Sequence, residues 1–367
     1  MKDNILIVAG GTGGHIWPAI SFGKWIDLNK PDFCAHYACG SRSLEAEIYK
    51  SANIEPNVLQ IEGSPFSGRS VSQKIHRFLA LFTGFFKARR ILKDLNPVYC
   101  VLFAGYISFP FILACKFCKI PLALHEQNAY AGKVTRVARK LGIDIYTGWD
   151  ECKPLPIGSY TPVGVPVRDF ETHNNVSAWG KLGFPEDMPS GVKVVAFTGS
   201  LGSIPIRKMI CDIAIKKKYK NWSFILPSVS DKLEKPYDNV YFLPKIWEAS
   251  LLFSLADIAI ARAGGSTLTE IGTFGIPAII IPWRRAVDDH QFYNASIYTA
   301  ENEAVIWDER SDLSDFEKKL FKIYKIYQEP KRENTSKLYN KANKICENLW
   351  LALFLKFERS VPSGTRQ

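Results

Sequence analysis

Three short motifs of nucleotide-binding proteins are missing from this sequence. A dinucleotide-binding Gly-x-Gly-x-x-Gly would need a glycine at position 16, after Gly11 and Gly13, but Ile16 stands there. Neither glycine-rich loop ends in the Gly-Lys-Ser/Thr of a P-loop. The chain also contains no Asp-x-Asp pair, through which a metal ion commonly holds a sugar diphosphate. A dinucleotide cofactor, an NTPase and a metal-bridged diphosphate are therefore disfavoured.

Long apolar runs and a cysteine framework are also lacking. No apolar stretch approaches the roughly 20 residues that span a bilayer, and we expect no signal peptide at the start of the chain. One Cys-x-x-Cys pair occurs, Cys115 with Cys118, and no second pair lies near it, so we expect no zinc site. Eight scattered cysteines fit free thiols in a reducing cytoplasm.

The composition is that of an ordinary globular chain with excess positive charge. The 367 residues are 47% hydrophobic and 23% charged, which predicts about two domains, each with a core. A formal net charge of +11 favours an anionic partner, namely nucleic acid, an acidic membrane surface or a phosphorylated substrate. No zinc-finger, RRM or KH pattern accompanies the charge, so we expect no nucleic-acid partner.

One local pattern occurs in both halves of the chain. An apolar run at 4–9 precedes a glycine loop and a helical stretch from Pro18, and a second run at 193–198 precedes another loop and a helical stretch from about Arg207. A strand buried on both faces, a tight turn and a helix typically open a parallel α/β layer. We therefore expect an α/β protein with two Rossmann-like parallel-sheet domains that face each other across a cleft.

The pattern breaks after 162–167 into a polar stretch with asparagines and prolines, which indicates a domain boundary. This predicts an N-terminal domain at 1–163, a C-terminal domain at 164–345 and a last segment at 346–367. The short apolar helix of the last segment is expected to return to the first domain. A second membrane contact is the alternative for that helix.

The first loop, Gly-Gly-Thr-Gly-Gly-His, contains four glycines, whose cost in folding entropy requires a reason. A glycine loop before a helix start offers backbone N–H groups and the positive end of the helix dipole, which suit phosphate. Without a metal, an arginine would complete the neutralisation of a diphosphate, and Arg168 and Ser200 are placed to contribute. A tight structural turn is the alternative.

Six motifs follow one another in a fixed order from Ile5 to about Ala295. They are Gly10–His15, His125–Asn128, Gly164–Arg168, Gly199–Gly202, Arg262–Glu270 and Asp289–Ala295. In this order they resemble the MurG family, the bacterial GT-B glycosyltransferases of peptidoglycan synthesis. No single motif is specific, but six in register are.

The resemblance implies a reaction and its partners. N-acetylglucosamine would move from UDP-GlcNAc to the C4 hydroxyl of the muramyl sugar of lipid I, with inversion, giving lipid II with a β-1,4 bond. The family needs no structural metal and no other cofactor in this site. The enzyme would lie peripherally at the cytoplasmic face of the cell membrane, and other cell-wall synthesis proteins are further candidate partners.

The resemblance also implies the donor site. Ile246 would meet the uracil through its backbone, Glu270 would accept hydrogen bonds from the ribose hydroxyls, and Gln291 would bind GlcNAc hydroxyls. The other donor-site candidates are Thr12, Gly13, Gly14, Asn128, Arg168, Ser200, Gly265, Ser266, Thr267, Leu268 and Thr269.

Two side chains are candidates for the catalytic base. A helix N-terminus favours the neutral form of an imidazole, and a neutral His15 would take the proton from the acceptor hydroxyl. The alternative for His15 is a histidine that only orders the loop. Glu126 is the second candidate base, and its alternative is a structural carboxylate that caps the turn after Leu124.

Several positions depart from the family pattern. Val165, Leu201 and Ser203 replace the usual residues on the donor side, and Ala104 and Thr135 do so on the expected acceptor side. These departures leave open a UDP-sugar transferase for another lipid acceptor, such as diacylglycerol. An inactive UDP-sugar-binding scaffold subunit of a cell-wall complex is an alternative of another class, against which the intact His15, Glu270 and Gln291 argue.

No acidic residue occurs from 63 to 93, where basic residues and phenylalanines alternate at helical spacing. Such a helix is typical of membrane-surface binding, and also of the buried face of a domain. We expect both, with some aromatic side chains buried and a few exposed, and Lys116 and Phe117 as an extension. The candidate membrane patch consists of Lys74, Phe78, Phe82, Phe85 and Phe86.

Overall fold

The computed structural model describes most of the chain as two compact units. The first unit comprises the chain up to Arg168 together with the chain from Ala342 onward, and the second comprises Asp169–Lys341. At 71–78, 287, 336–341 and 355–360 the backbone alone is described. The described residues are 2–63, 71–171, 173–184, 186–199, 202–227, 232–246, 248–284, 287–329 and 336–360.

The N-terminal unit alternates strands with helices. Its strands are β1 (Asp3–Val8), β2 (Phe33–Cys39), β3 (Asn57–Val58), β4 (Tyr99–Leu102), β5 (Leu122–Glu126), β6 (Asp144–Thr147) and β7 (Thr161–Pro162). Its helices are α1 (Gly13–Asn29), α2 (Ser43–Ser51), α3 (Val71–Leu95), α4 (Ser108–Cys118) and α5 (Lys133–Lys140).

These strands form one parallel sheet in the order β3-β2-β1-β4-β5-β6-β7. The side chains of β1 from Ile5 to Val8 are at most 1% exposed, because helices cover both faces of the sheet. This continuous burial explains why β1 reads as an uninterrupted apolar run. On one face, β1 and β4 pack with α3 and α4 around Phe111 and Ile112.

The C-terminal unit repeats this architecture. Its strands are β8 (Lys193–Phe197), β9 (Ser223–Pro227), β10 (Glu234–Tyr237), β11 (Val240–Leu243), β12 (Ile258–Ala261), β13 (Ala278–Ile280) and β14 (Ala304–Ile306). Its helices are α6 (Asn175–Lys181), α7 (Ile204–Ala214), α8 (Ser250–Leu255), α9 (Gly265–Thr273), α10 (His290–Glu301) and α11 (Leu313–Gln328).

The second sheet has the order β10-β11-β9-β8-β12-β13-β14. All pairs are parallel except β10 with β11, which form an antiparallel hairpin at one edge. Without β10, the second sheet has the 3-2-1-4-5-6 strand order of a Rossmann fold, and the first sheet has the same order with β7 added at one edge. In the core of the C-terminal unit, α7 and α11 pack against the second sheet around Phe224, Phe242 and Phe316. The predicted fold class of two Rossmann-like parallel-sheet domains is therefore confirmed.

The start of the first helix differs from its prediction. We expected a helical stretch from about Pro18, whereas α1 begins at Gly13, so that Gly13, Gly14 and His15 form its first turn. Glycine has a low intrinsic helix propensity, but burial of Ile16 and of the rest of one helix face overrides it here.

The last helix, α12 (Ser336–Ser360), contacts the N-terminal unit through its apolar residues. Trp350 packs edge-on against Phe33 with ring centroids 4.9 Å apart, and Tyr146 donates a hydrogen bond to the Ala352 carbonyl at 2.9 Å. The following residues, 361–367, lie outside the described part. Among the helices that the structure describes, none combines the length and the apolar character needed to cross a bilayer.

Candidate active site

In both units, glycine-containing loops follow the two central strands of the sheet. The carboxyl ends of β1 and β4 lead into residues 9–12 and 103–107, and those of β8 and β12 lead into residues 198–199 and 262–264. Because the strand order reverses between these neighbours, open α/β sheets bind ligands there. Each unit therefore has one candidate site at this point of its sheet.

The carboxylate of Glu45 holds the first glycine loop in place. Glu45 is fully buried and accepts hydrogen bonds from Gly11 N (2.8 Å), Gly40 N (2.7 Å) and the Tyr106 hydroxyl (2.5 Å). A Cβ atom on Gly10 would lie 2.6 Å from Oε2 of Glu45, and Gly11 has φ +98°. These first two glycines therefore serve the turn and its carboxylate.

The next two glycines have no such steric reason. A Cβ atom on Gly13 or Gly14 would meet its nearest neighbour at 3.4 or 3.7 Å, which is ordinary contact. Both residues lie in the first turn of α1, and within the described part the preceding Thr12 makes no side-chain capping hydrogen bond. The first N–H groups of an α-helix have no acceptor within the helix, and the helix dipole favours an anion there. Thr12, Gly13 and Gly14 thus form a suitable phosphate contact.

His15 lies in the same first turn. Its Nδ1 is 2.6 Å from Oε1 of Gln127, in the segment that follows β5. Its other ring nitrogen faces Gly105, since a Cβ atom built there would lie 4.0 Å from Nε2. Gly105 has φ +73°, a conformation that favours glycine. The candidate base is thus anchored at one nitrogen and faces the loop after β4 with the other.

Glu126 has a different environment. It is 1% exposed, and its oxygens accept hydrogen bonds from Asn128 N and Nδ2 (3.1 Å each), Gly132 N (3.0 Å) and the Thr135 hydroxyl (2.5 Å). Four donors occupy the lone pairs that a base would use. This arrangement favours a structural carboxylate that organises the turn between β5 and α5.

Two departures from the family pattern are now placed. Thr135 is fully buried and donates to Glu126, so its side chain does not lie on an accessible acceptor surface. Ala104, at the end of β4, has φ +43°, in the left-handed region that costs a non-glycine residue about 1 kcal/mol. Its carbonyl accepts a hydrogen bond from the Ser108 hydroxyl at 2.5 Å, which holds this backbone in place.

Two further donor-site candidates lie in the N-terminal unit. The Arg168 guanidinium stacks over the Trp17 ring of α1 at 4.5 Å from its centroid, and Arg168 is half-buried. This contact brings a permanent cation to the helix whose first turn carries His15. The Asn128 amide donates to Glu126, as described, so Glu126 orients it.

In the C-terminal unit, the candidates from Gly265 to Glu270 form the first two turns of α9. Ser266, Leu268 and Glu270 are buried, while Thr267 and Thr269 are half-buried. The Leu268 side chain is fully buried, so that residue offers a ligand only its backbone. Gly264 precedes the helix and supplies no side-chain cap, which again leaves N–H groups at the helix start.

Arg262, at the end of β12, ties three segments of this unit together. Its guanidinium donates to the Ile281 carbonyl (3.2 Å), the Ser203 hydroxyl (3.0 Å) and the Glu309 carboxylate (2.7 Å). Asn294, which is fully buried, donates to the Ala263 carbonyl at 2.9 Å. These two motif residues therefore shape the loop after β12.

The remaining candidates are only partly described. Gln291 in the first turn of α10 accepts a hydrogen bond from the Trp283 N–H at 2.9 Å, and Ile246 is half-buried after β11. Ser200 lies outside the described residues. Asp288 and Asp289, just before α10, have φ of 56° and 50°, an unusual left-handed pair that a functional loop can retain.

The predicted membrane patch is a mixed surface of α3 and α4. Phe82 and Phe86 are 63% and 51% exposed, and Phe85 is half-buried against the core, so the exposed aromatics are present and none of the described ones is fully buried. Phe117 of α4 is 62% exposed and lies under the Arg89 guanidinium at 4.6 Å. The side chains of Lys74 and Phe78 lie outside the described ones.

Sequence reasoning missed the role of three residues. Glu45 gave no signal, because only the fold brings α2 to the loop after β1. Gln127 and Arg262 stand inside recognised motifs, but nothing in a motif reports which neighbours a side chain contacts. Their hydrogen bonds to His15 and to Ser203 and Glu309 appear only in three dimensions.

Comparisons with known proteins agree with this fold. Residues 5–146 match the glycosyltransferase family 28 N-terminal domain, and residues 213–349 match its C-terminal domain. The UDP-N-acetylglucosamine–N-acetylmuramyl-(pentapeptide) pyrophosphoryl-undecaprenol N-acetylglucosamine transferase of Francisella philomiragia is 32% identical over 328 residues, which are 82% of this chain and 84% of that protein. The Azotobacter vinelandii protein of the same name is 28% identical over 83% of this chain and 85% of its own length.

A solved structure extends the likeness over nearly the whole length. Acinetobacter baumannii MurG superposes with a TM-score of 0.64 at 20% identity, covering 97% of this chain and 99% of that one. At this identity the superposition speaks for the fold alone. Two Rossmann-like units are the architecture of GT-B glycosyltransferases, and the two family matches place the chain in that class. The chain belongs to glycosyltransferase family 28.

Proposed function

We propose that this enzyme transfers N-acetylglucosamine from UDP-GlcNAc to the C4 hydroxyl of the MurNAc of lipid I. Inversion at the anomeric carbon gives lipid II with a β-1,4 bond. The likeness to the Francisella philomiragia transferase carries the choice of donor and acceptor, because that protein's name specifies both. The intact candidate base and donor-site residues support an active enzyme over a scaffold subunit.

His15 is the proposed general base. Its Nε2 takes the proton from the acceptor hydroxyl as the oxygen attacks the anomeric carbon and UDP leaves from the opposite face. The Gln127 contact at Nδ1 holds the ring in place during this step. Glu126 is the weaker candidate, because four hydrogen-bond donors already occupy its carboxylate.

The leaving diphosphate needs positive charge, which the chain can supply without a metal. The N–H groups at the starts of α1 and α9 and the Arg168 guanidinium are the proposed contacts. Among the described residues, no three His, Cys, Asp or Glu side chains cluster as a metal site requires. Metal independence is itself a proposal, and chelation tests it directly.

The uridine and sugar would bind the C-terminal unit. Glu270 is the proposed acceptor for the ribose hydroxyls, Gln291 the contact for GlcNAc and Ile246 the backbone contact for uracil. Ser200 and the backbone of Gly265–Thr269 complete the proposed donor site. The predicted cleft between the two units stays a prediction.

The decisive experiment measures transfer of labelled GlcNAc from UDP-GlcNAc to a short-chain lipid I analogue in the presence of EDTA. We expect a disaccharide product with a β-1,4 linkage. Product with diacylglycerol and none with lipid I would show that diacylglycerol is the acceptor. Binding of UDP-GlcNAc by calorimetry with no product from either acceptor would favour the scaffold subunit. Loss of product on adding EDTA would contradict metal independence.

The exposed surface of α3 and α4 is proposed to place the enzyme peripherally on an anionic membrane at its cytoplasmic face. Phe82, Phe86 and Phe117 offer apolar area, and the exposed Arg89 and Arg90 add positive charge. Each cation near an anionic leaflet contributes about 1 kcal/mol. A lipid-linked acceptor requires such a docking surface.

Replacing both Phe82 and Phe117 by serine is expected to weaken binding to anionic phospholipid vesicles by about tenfold or more, because each apolar ring contributes about 1.5–3 kcal/mol when fully buried. Co-sedimentation measures the change. The matched control is Phe321→Ser in the C-terminal unit, where Phe321 is 56% exposed and lies far from α3 in the sequence. If the double variant sediments like the wild type, α3 and α4 are not the docking surface.

A further inference from the structure

A continuous chain of hydrogen bonds runs from a backbone carbonyl to the candidate base. The His125 Nε2 lies 2.8 Å from the Gly164 carbonyl oxygen. The Gln127 Nε2 lies 3.0 Å from His125 Nδ1 and 2.9 Å from the His125 carbonyl oxygen. The Gln127 Oε1 lies 2.6 Å from His15 Nδ1. All four residues belong to the N-terminal unit.

The first link fixes the state of His125. A carbonyl oxygen only accepts, so His125 Nε2 carries a hydrogen. The ring is fully buried, and burial lowers the pKa of His125 to about 4, so the ring is neutral near pH 7. A neutral imidazole protonated at Nε2 has its lone pair at Nδ1. His125 therefore accepts a hydrogen bond at Nδ1.

The second link fixes the orientation of Gln127. Its nearest neighbours on this side are the lone pair of His125 Nδ1 and the His125 carbonyl oxygen, and both are acceptors. The amide nitrogen must face them, so the amide oxygen faces His15. Gln127 is 1% exposed, and its backbone carbonyl accepts a hydrogen bond from Trp149 Nε1 at 2.9 Å. The burial and this hydrogen bond hold the residue in place.

The third link fixes His15. The Gln127 oxygen only accepts, so His15 Nδ1 must carry the hydrogen. In the neutral ring the lone pair then lies on Nε2, the nitrogen that faces Gly105 and the loop after β4. A base needs its lone pair at the nitrogen that meets the acceptor hydroxyl.

We propose that Gln127 and His125 are positioning residues that lock His15 in the tautomer with a hydrogen on Nδ1 and a free lone pair on Nε2. This inference rests on the proposed role of His15 as the base. Gln127 acts on His15 directly, and His125 acts through Gln127. In serine proteases an aspartate has the corresponding task, and its replacement by asparagine lowers kcat by about 10⁴. A neutral glutamine contributes less, so we expect a smaller effect here.

The test is nitrogen NMR of protein labelled with ¹⁵N-histidine, which distinguishes protonated from unprotonated ring nitrogens. The His15 signals are assigned by their loss in His15→Gln. In the wild type at neutral pH we expect a protonated Nδ1 and an unprotonated Nε2. In Gln127→Leu we expect a mixture of tautomers.

Steady-state kinetics supply a second readout. Gln127→Leu is expected to lower kcat by roughly tenfold to a hundredfold with the KM for UDP-GlcNAc unchanged, because only the base is affected. The matched control is Asn4→Leu at the opposite end of β1, where Asn4 contacts the Leu95 carbonyl (2.7 Å) and His36 Nε2 (3.0 Å). The control should change neither the His15 tautomer nor kcat.

Two results would overturn the inference. One is a hydrogen on Nε2 of His15 in the wild-type protein. The other is a Gln127→Leu protein that folds, by circular dichroism, and keeps the wild-type tautomer. Because the NMR readout needs no substrate, it separates this inference from the proposed function. A wild-type His15 with its hydrogen on Nδ1, in a protein without transferase activity, would contradict the proposed function and leave this inference intact.

Discussion

Replacing His15 by alanine is expected to lower kcat by about 10²–10⁴, the usual contribution of a general base. The affinity for UDP-GlcNAc should stay unchanged, because the variant keeps the backbone N–H groups of the first turn of α1. The measurements are steady-state transfer to a lipid I analogue and calorimetric titration with UDP-GlcNAc. A fall in kcat without a change in donor affinity is the signature of an interaction made only in the transition state.

His36→Ala serves as the control for this variant. His36 lies on β2 and contacts Asn4 near the amino end of β1, away from the glycine loop. The His36→Ala variant should have the kcat of the wild type. If His15→Ala keeps full turnover with donor binding preserved, His15 is not the base. Glu126 would then have to be reconsidered in spite of its four hydrogen-bond donors.

The position of the candidate site could be predicted from the sequence because the signals involved are local. An apolar run buried on both faces, followed by glycines and a helix, marks the end of a central parallel strand in either half. Two such entries locate β1 and β8, whose neighbours β4 and β12 complete the switch points. The start of α1 was misplaced, since glycine propensity is a weak guide where tertiary packing decides.

The chemistry of the site could not be predicted in the same way. Thr135 stands in a position expected to touch the acceptor, yet it points into the protein and donates to Glu126. Gln127 gave no sign that it contacts His15, because the two residues are 112 positions apart. Glycines at 10 and 13 look equivalent in the sequence, although only the first is crowded by a carboxylate. Such distinctions depend on which side chains the fold brings together.

Glu45→Ala is expected to destabilise the N-terminal unit by about 3–5 kcal/mol, because it leaves buried donors without an acceptor at about 1–3 kcal/mol each. The donors that lose their partner are the N–H groups of Gly11 and Gly40, while the Tyr106 hydroxyl keeps the Ile61 carbonyl at 3.1 Å. Burial raises the pKa of Tyr106 well above its usual range, so this hydroxyl remains a donor. Chemical denaturation and hydrogen exchange of the Gly11 amide measure the loss.

Two comparisons separate the lost acceptor from lost volume. Glu47→Ala on the same helix changes an exposed glutamate and should shift the midpoint little. Glu45→Gln keeps the volume but turns an NH₂ group toward Gly40 N or toward the donors at Oε1, so a substantial part of the loss should remain. If Glu45→Gln were as stable as the wild type, the negatively charged carboxylate would not be what holds the glycine loop in place. Since the loop leads directly into the turn that carries His15, transfer activity should fall together with the protection of the Gly11 amide.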